Sequence, residues 1–161
     1  MKQIARLVAV VVMAMTAAGC IPQLMEPPGP PPPIPYGAAT ERQVEKALQR
    51  YSAMIATMDA AGVASMYAPD GVWERQAGMI QGRDAIRNAV ASLPARVLSN
   101  TMTTSSMSYN GPTVIQSGEF IQSARLPDGK VVAAQGRFEA TWIRGPDGEW
   151  WIHRMVTRPG K

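Results

Sequence analysis

The sequence predicts an α+β domain in which N-terminal helices pack on a curved antiparallel β-sheet. Two patterns point to this class. Between Thr40 and Pro94 the apolar residues recur every three or four positions, whereas downstream they alternate with polar residues in segments separated by turn signals. Helices followed by a run of strands are typical of α+β folds. A chain of 161 residues has room for one such domain and an appended segment.

Three helices are expected in the first half of this domain. The first begins with Thr40 as its N-cap and carries an apolar stripe as far as Gly62. A short second helix, VASMYAP, ends before Pro69. Asp70-Gly71 then forms a turn, and VWERQ reads as a strand. The third helix runs from Gly82 to just before Pro94.

The second half of the domain predicts four strands. They cover residues 97–109, 113–126, 131–144 and 149–157. The intervening NGP, PDG and GPDG sequences are strong turn signals, so consecutive strands should pair as an antiparallel meander.

Residues 1–19 have the features of a secretory signal peptide. Lys2 and Arg6 make the start basic, an apolar run follows, and small residues precede Cys20. Small residues before a cysteine resemble a bacterial lipobox, which implies that Cys20 is lipidated and begins the mature protein. The alternative is an ordinary thiol after a plain signal peptide. Because the only cysteine of an exported chain has no disulfide partner, we favour lipidation.

Residues 20–39 are expected to link this anchor to the domain, which occupies residues 40–161. Eight of the 14 prolines lie between residues 21 and 39, and such a segment forms a semi-rigid spacer and no regular helix. A proline-rich ligand for another protein is the alternative. Ile21 follows the cysteine where an aspartate would retain a lipoprotein in the inner membrane. The enterobacterial sorting rule therefore implies the cell envelope, at the outer membrane and facing the periplasm.

Charge and composition exclude several function classes. Without Lys2 and Arg6, 14 basic residues face 12 acidic ones, and the arginines are scattered, so we expect no nucleic-acid partner. His153 is the only histidine, which argues against a metal site. No Ser-His-Asp arrangement or glycine-rich phosphate loop is present. We expect neither a metal nor another cofactor.

The order of several short sequences resembles the NTF2-like superfamily. They are QRY in the first helix, MYAPDGVW, GRDAI at the start of the third helix, and GRFEATWIRGPDGEWWI near the end. This superfamily includes ketosteroid isomerases, SnoaL-like cyclases and the DUF4440 group, and the last sequence is most similar to DUF4440. The resemblance spans residues 40–157. It implies a cone-shaped domain with a pocket between the helices and the sheet.

The resemblance also implies which catalytic groups to look for. Ketosteroid isomerases use an aspartate base, an oxyanion-hole tyrosine and a protonated oxyanion-hole aspartic acid. Gapless alignment of QRY and YAPDGVW places Tyr51 at the tyrosine, Arg75 at the base directly after Glu74, and Gly136 near the second acid. Because arginine stays charged, it cannot abstract a proton, and loss of a base costs about 10²- to 10⁴-fold in rate. We therefore expect no isomerase activity of this type.

Strand alternation suggests instead a binding role for this region. Neighbours on a strand point to opposite faces, so Trp73 should share the pocket side with Arg75 while Glu74 faces away. An aromatic wall with a cation suits a carboxylate or an electron-rich ring. Tyr51 and Trp142 complete the predicted ligand-binding set. The alternative is that Arg75 pairs with an acid at the rim while Trp73, Tyr51 and Trp142 are core residues.

Three functions remain open from the sequence. The first is a lipid-anchored envelope protein that binds a small molecule in the cone. This molecule is apolar or aromatic, and an anionic ligand is one version of this hypothesis. The second is an enzyme of unknown reaction, in which Tyr51 and Arg75 orient a substrate and water or His153 accepts a proton. The third is a structural module that forms a homodimer through its open sheet face.

The anchor provides the first testable prediction. Labelled fatty acid should be incorporated into the wild-type protein at Cys20 and bring it to the membrane fraction. Cys20→Ser should abolish labelling and release the protein or leave it unprocessed. Absence of label from the wild-type protein would contradict the lipobox assignment.

Overall fold

A computed structural model of the chain describes residues 37–160. The predicted signal peptide, the lipidation of Cys20 and nearly all of the predicted linker lie outside the described residues. Three helices pack against one sheet. They are α1 (Ala38–Thr57), α2 (Ala60–Ser65) and α3 (Arg83–Ala91). None of the helices in the described range is both long and apolar enough to cross a membrane.

One six-stranded sheet forms the other layer. Its strands are β1 (Tyr67–Arg75), β2 (Gly78–Gln81), β3 (Arg96–Asn110), β4 (Thr113–Arg125), β5 (Val131–Arg144) and β6 (Trp150–Pro159). Their order is β2-β1-β6-β5-β4-β3, with β1 and β6 parallel and every other pair antiparallel. The predicted α+β class, with helices on a curved antiparallel sheet, is confirmed, and the four predicted strands of the second half correspond to β3–β6.

The start of the domain differs from the sequence-based expectation in two places. Thr40 is not the N-cap, because α1 begins at Ala38 after Gly37 and Thr40 is buried within the helix. The second helix ends at Ser65 instead of continuing to Pro69. Tyr67 pairs with β6 at Ile152, whose backbone N–H donates to the Met66 carbonyl. The sheet therefore extends into residues expected to be helical.

The first strand contains the residues that were expected to form a turn. Asp70 and Gly71 lie inside β1, where the register against β6 shifts between Tyr67 and Val72. The short strand β2 was not predicted. It pairs with the end of β1, with Trp73 opposite Ile80 and Arg75 opposite Gly78.

Two glycine–phenylalanine pairs allow close packing on the helix side of the sheet. Gly118 on β4 lies opposite Phe138 on β5, and Phe120 lies opposite Gly136 on the same two strands. A Cβ atom at position 118 would lie 2.7 Å from the Phe138 ring, and one at position 136 would lie 2.9 Å from the Phe120 ring. Each ring thus occupies the space of the missing side chain, an arrangement that pins strand register.

Helix α1 covers the outer edge of β3, the longest strand. Side chains spaced three and four residues apart on the helix meet strand residues spaced two apart, so the two elements stay in register over several contacts. An unprotected edge strand would expose its backbone groups to other chains. The contacts join Ser52 Oγ to the Asn100 carbonyl (2.9 Å), Gln49 Nε2 to the Met102 carbonyl (3.3 Å) and Thr104 Oγ1 to Glu45 Oε2 (2.5 Å).

Candidate functional site

The interior between the helices and the sheet contains two tyrosines that bond to each other. The Tyr51 and Tyr67 hydroxyl oxygens lie 3.1 Å apart, and the rings meet edge to face with centroids 6.1 Å apart. Burial raises the pKa of Tyr51 to about 12, although the bond to Tyr67 opposes the shift, and burial also raises the pKa of Tyr67. Both hydroxyls therefore stay protonated at neutral pH, so neither can act as a base.

A hydrogen-bonded network fixes Trp142 in the same interior. The indole N–H of Trp142 donates to Gln116 Oε1 at 2.8 Å. Gln116 Nε2 donates to Thr104 Oγ1 at 2.7 Å and to Glu45 Oε2 at 3.1 Å. Trp142 and Gln116 are both fully buried. Because the polar atoms of the pair are satisfied within the protein, the indole is a core group held in one orientation.

Trp73 and Arg75 lie together at the end of β1. The Arg75 guanidinium carbon is 5.1 Å from the centroid of the Trp73 ring, a cation–π distance. The Trp73 indole N–H donates to Thr157 Oγ1 on the neighbouring strand β6 at 3.3 Å, which fixes the orientation of the ring. The shared face of Trp73 and Arg75 agrees with the predicted alternation.

Arg75 makes no ion pair with any residue in the described range. Its Nε atom is buried and has no hydrogen-bond partner among residues 37–160. A buried donor without a partner costs about 1–3 kcal/mol. The ion pair between Arg75 and an acid, which the alternative interpretation requires, is therefore absent from this part of the chain.

A cavity of about 210 Å³ opens beside Arg75. Its walls come from the ends of β1 and β6 and include Gln76, Thr157 and Arg158. Two arginines and one acid, Glu74, line it, so the local charge is positive. Its volume is below the range of about 300–1,000 Å³ that is usual for drug-sized ligands. The cavity thus suits the charged end of a small molecule.

Glu74 lies on the opposite face of the sheet from Trp73. It forms ion pairs with Arg154 and with Arg158, the latter at 3.3 Å. The hydrogen bond from Arg154 is the main cause that lowers the pKa of Glu74, assisted by the charge of Arg158. A carboxylate held this way stays ionised and is turned away from Trp73. Glu74 is therefore poorly placed to act as a base at the Trp73–Arg75 position.

The other groups considered for catalysis do not meet at one point. Position 136 cannot hold an acid, because any Cβ there would lie 2.2 Å from the Arg158 carbonyl oxygen. His153 is exposed, at the residue of β6 left unpaired by the register shift opposite Trp142. Residues 37–160 contain no cluster of three His, Cys, Asp or Glu side chains suited to a metal.

The four predicted ligand-binding residues thus divide into two pairs. Tyr51 and Trp142 are buried and bonded inside the core. Trp73 is also buried, with 9% of its surface exposed, and Arg75, which stacks on it, lines the cavity at the end of β1. Their role as ligand contacts stays a prediction. The sequence did not predict Thr157 and Arg158 as site residues. The parallel pairing of β1 with β6 brings them close to Arg75, and such a long-range pairing has no signature in the local sequence.

Comparison with known proteins agrees with this fold. A family model described as the SnoaL-like domain matches residues 48–158. No curated protein matches the sequence.

Several solved structures are similar to this fold. An NTF2-like superfamily protein from Salmonella enterica is 15% identical, with a TM-score of 0.68 over 76% of this chain and 92% of that one. A ketosteroid isomerase-like protein from Erwinia carotovora is also 15% identical, with a TM-score of 0.68 over 74% and 95%. A putative calcium/calmodulin-dependent protein kinase II association domain from Xanthomonas campestris is 22% identical, with a TM-score of 0.63 over 78% and 89%. At these identities the likeness shows the fold alone.

The ion pairs of Glu74 lead to a pH-dependent prediction. Because its pKa is lower in the folded protein than in the unfolded chain, its stabilising effect is present above the ordinary pKa of 4.5 and is lost as pH falls through the lower folded-state value. Glu74→Gln should therefore lower the melting temperature slightly at neutral pH and have no effect at strongly acid pH. Glu119→Gln, which removes an acid without an ion pair from the same face, is the matched control. A Glu74→Gln difference that persists unchanged in acid would contradict this account.

Proposed function

We propose that this chain, which belongs to the SnoaL-like domain family, is a lipid-anchored envelope protein that binds a small aromatic or apolar molecule carrying an anionic group. Binding is non-catalytic and takes place at the Trp73–Arg75 rim. The leader and Cys20 support the location, and the rim supports the ligand class.

The observation that carries this proposal is the state of Arg75. It is a permanent cation stacked on an aromatic ring, it forms no ion pair within residues 37–160, and it lines a cavity. A carboxylate can accept from a guanidinium in a two-point arrangement, which fixes orientation as well as charge. Val156, Pro159 and the methylene groups of Arg75 line the cavity and supply an apolar surface for a ring next to that carboxylate.

Enzymatic turnover remains the second hypothesis, and the geometry gives it less support. Tyr51 stays protonated and is bonded to Tyr67, Arg75 holds its proton, and Glu74 is paired on the opposite face. Residue His153, the remaining candidate proton acceptor, is exposed and lines none of the cavities described above. A reaction that needs only charge stabilisation at Arg75 is the form of catalysis most compatible with these positions.

A thermal-shift experiment tests the ligand class. The full chain, purified in detergent, is heated with benzoate or cinnamate and with the corresponding neutral amides. A ligand at about 100 times its dissociation constant adds about 2.7 kcal/mol to the free energy of unfolding. For a domain of this size the melting temperature should then rise by several degrees, at about 4 °C per kcal/mol. The acids should give this rise and the amides much less.

Arg75→Met provides the decisive comparison. It keeps the apolar length of the side chain and removes the cation, so it should abolish the shift caused by the acids. Arg125→Met, at an exposed arginine on β4 outside the cavity, is the matched control and should retain the shift. Equal shifts in wild-type protein and Arg75→Met, or none with any acid, would refute binding at this rim.

Association through the sheet is a further candidate function, and one observation favours it. The face opposite the helices carries a groove of about 450 Å³ lined by Glu119, Arg137, Glu139 and Arg158. Arg137 lies directly opposite Arg158, and like charges in this position repel. Of the four side chains, Arg158 alone forms an ion pair within the described range. A two-fold interface requires such a self-complementary surface, because each arginine can meet an acid of the second copy.

Charge exchange tests this association. Light scattering of the full chain should show a dimer that is weakened by Glu119→Arg or by Arg137→Glu and restored when both changes are combined. A wild-type protein that stays monomeric at high concentration would exclude the interface. So would a dimer that is indifferent to all three variants.

A further inference from the structure

Another cavity lies away from Arg75, between helix α1 and the turn that joins β5 to β6. Its volume is about 630 Å³. Lys46 and Arg50 reach it from the helix, and Arg144 and Glu149 reach it from the ends of the two strands. We call this cavity the α1 groove. Three cations against one acid give it a net charge of +2, as large as the formal excess of the whole mature chain.

Arg144 is held rigidly at one side of the α1 groove. Its guanidinium carbon lies 4.4 Å from the centroid of the buried Trp150 ring. One of its terminal nitrogens donates to Gln43 Oε1 at 2.5 Å, and the other donates to the Gly148 carbonyl. Gly148 has a φ of 78°, a left-handed conformation that favours glycine at this turn. The remaining N–H groups of Arg144 are therefore fixed in direction before any ligand arrives.

Lys46 and Arg50 on the helix are less committed than Arg144. The Lys46 side chain makes no ion pair or hydrogen bond with a residue between 37 and 160. Arg50 approaches Glu149 at 3.8 Å, and both side chains are at least half exposed. An exposed pair at this distance contributes about 0–1 kcal/mol, so an incoming anion can displace Glu149.

We infer that the α1 groove is a binding site for a phosphate-type anion. Lysine and arginine together suit such a group, because arginine binds two oxygens in a fork and lysine acts as a mobile point charge. A phosphate carries more than one negative charge and several acceptor oxygens, and can therefore engage the helix cations and Arg144 together. Ala47 keeps the floor of the groove open because its side chain is a single methyl group.

The phosphate can come from a free metabolite or from a lipid headgroup. Helix α1 begins at Ala38, immediately after the segment expected to lead to the membrane anchor. Juxtamembrane cations attract anionic headgroups by about 1 kcal/mol each. The two sources share one chemistry and are separated by experiment.

The experiment uses the full chain in two arms. In the first, the melting temperature is measured in sodium pyrophosphate and in sodium chloride of equal ionic strength. In the second, flotation is compared between vesicles of phosphatidylcholine alone and vesicles that also contain phosphatidylglycerol. The lipid anchor contributes equally to both vesicle types, so the difference reports the groove. A response in the first arm identifies a free phosphate, and a response in the second identifies a headgroup.

The variants decide whether the α1 groove is responsible. Lys46→Glu combined with Arg50→Glu should raise the apparent dissociation constant by at least about tenfold in the responding arm. Arg87→Glu combined with Arg96→Glu changes the same net charge at exposed residues outside the groove and should leave binding within about twofold. Lys46→Gln with Arg50→Gln replaces the reversal pair if that pair unfolds the protein. No response in either arm would overturn the inference, as would equal losses in the groove and control variants.

Discussion

The hydrogen bond between Gln116 and Trp142 determines which interior positions of this domain are available to a ligand. A glutamine with no exposed surface must satisfy its amide inside the protein, and Gln116 does so with the indole, Thr104 and Glu45. The same bonds join β4 and β5 to β3 and to helix α1. Trp142 is thereby held in one orientation, and Tyr51 and Tyr67 belong to the same hydrophobic core. Interior positions that could have faced a ligand serve as core.

Because these residues fill interior positions, the charged groups that a ligand can reach lie at the surface of the domain. Arg75 and Lys46, two of the cations that form no ion pair in the described range, each line a surface cavity. Each has an aromatic residue nearby, Trp73 beneath Arg75 and Trp150 beneath the neighbouring Arg144. A stacked guanidinium is oriented before binding, which reduces the entropy lost when an anion arrives. Both proposed anion sites therefore lie at the surface, outside the packed interior.

The sequence predicted the fold well where local signals were strong. The strands of the second half were located because NGP, PDG and GPDG mark their ends, and the shared face of Trp73 and Arg75 followed from alternation alone. The strand β2 was missed because four residues, GMIQ, carry no distinctive period. The extent of β1 was missed because Tyr67 joins the sheet through parallel pairing with Ile152, a contact between residues 85 positions apart. The only feature of the sequence that indicated the bonded interior is Gln116, a glutamine between Val114 and Gly118 on the apolar face of β4. We drew no prediction from it.

We propose that an anionic ligand binds at the Trp73–Arg75 rim and does not enter the interior. The four tryptophans of the chain give four indole N–H signals in a nitrogen-15 NMR spectrum, assignable by single Trp→Phe variants. Titration with cinnamate should move the signal of Trp73 and leave that of Trp142 in place, because the Trp142 N–H remains bonded to Gln116. Movement of the Trp142 signal with Trp73 unchanged would show that the ligand enters the interior, and would contradict the account.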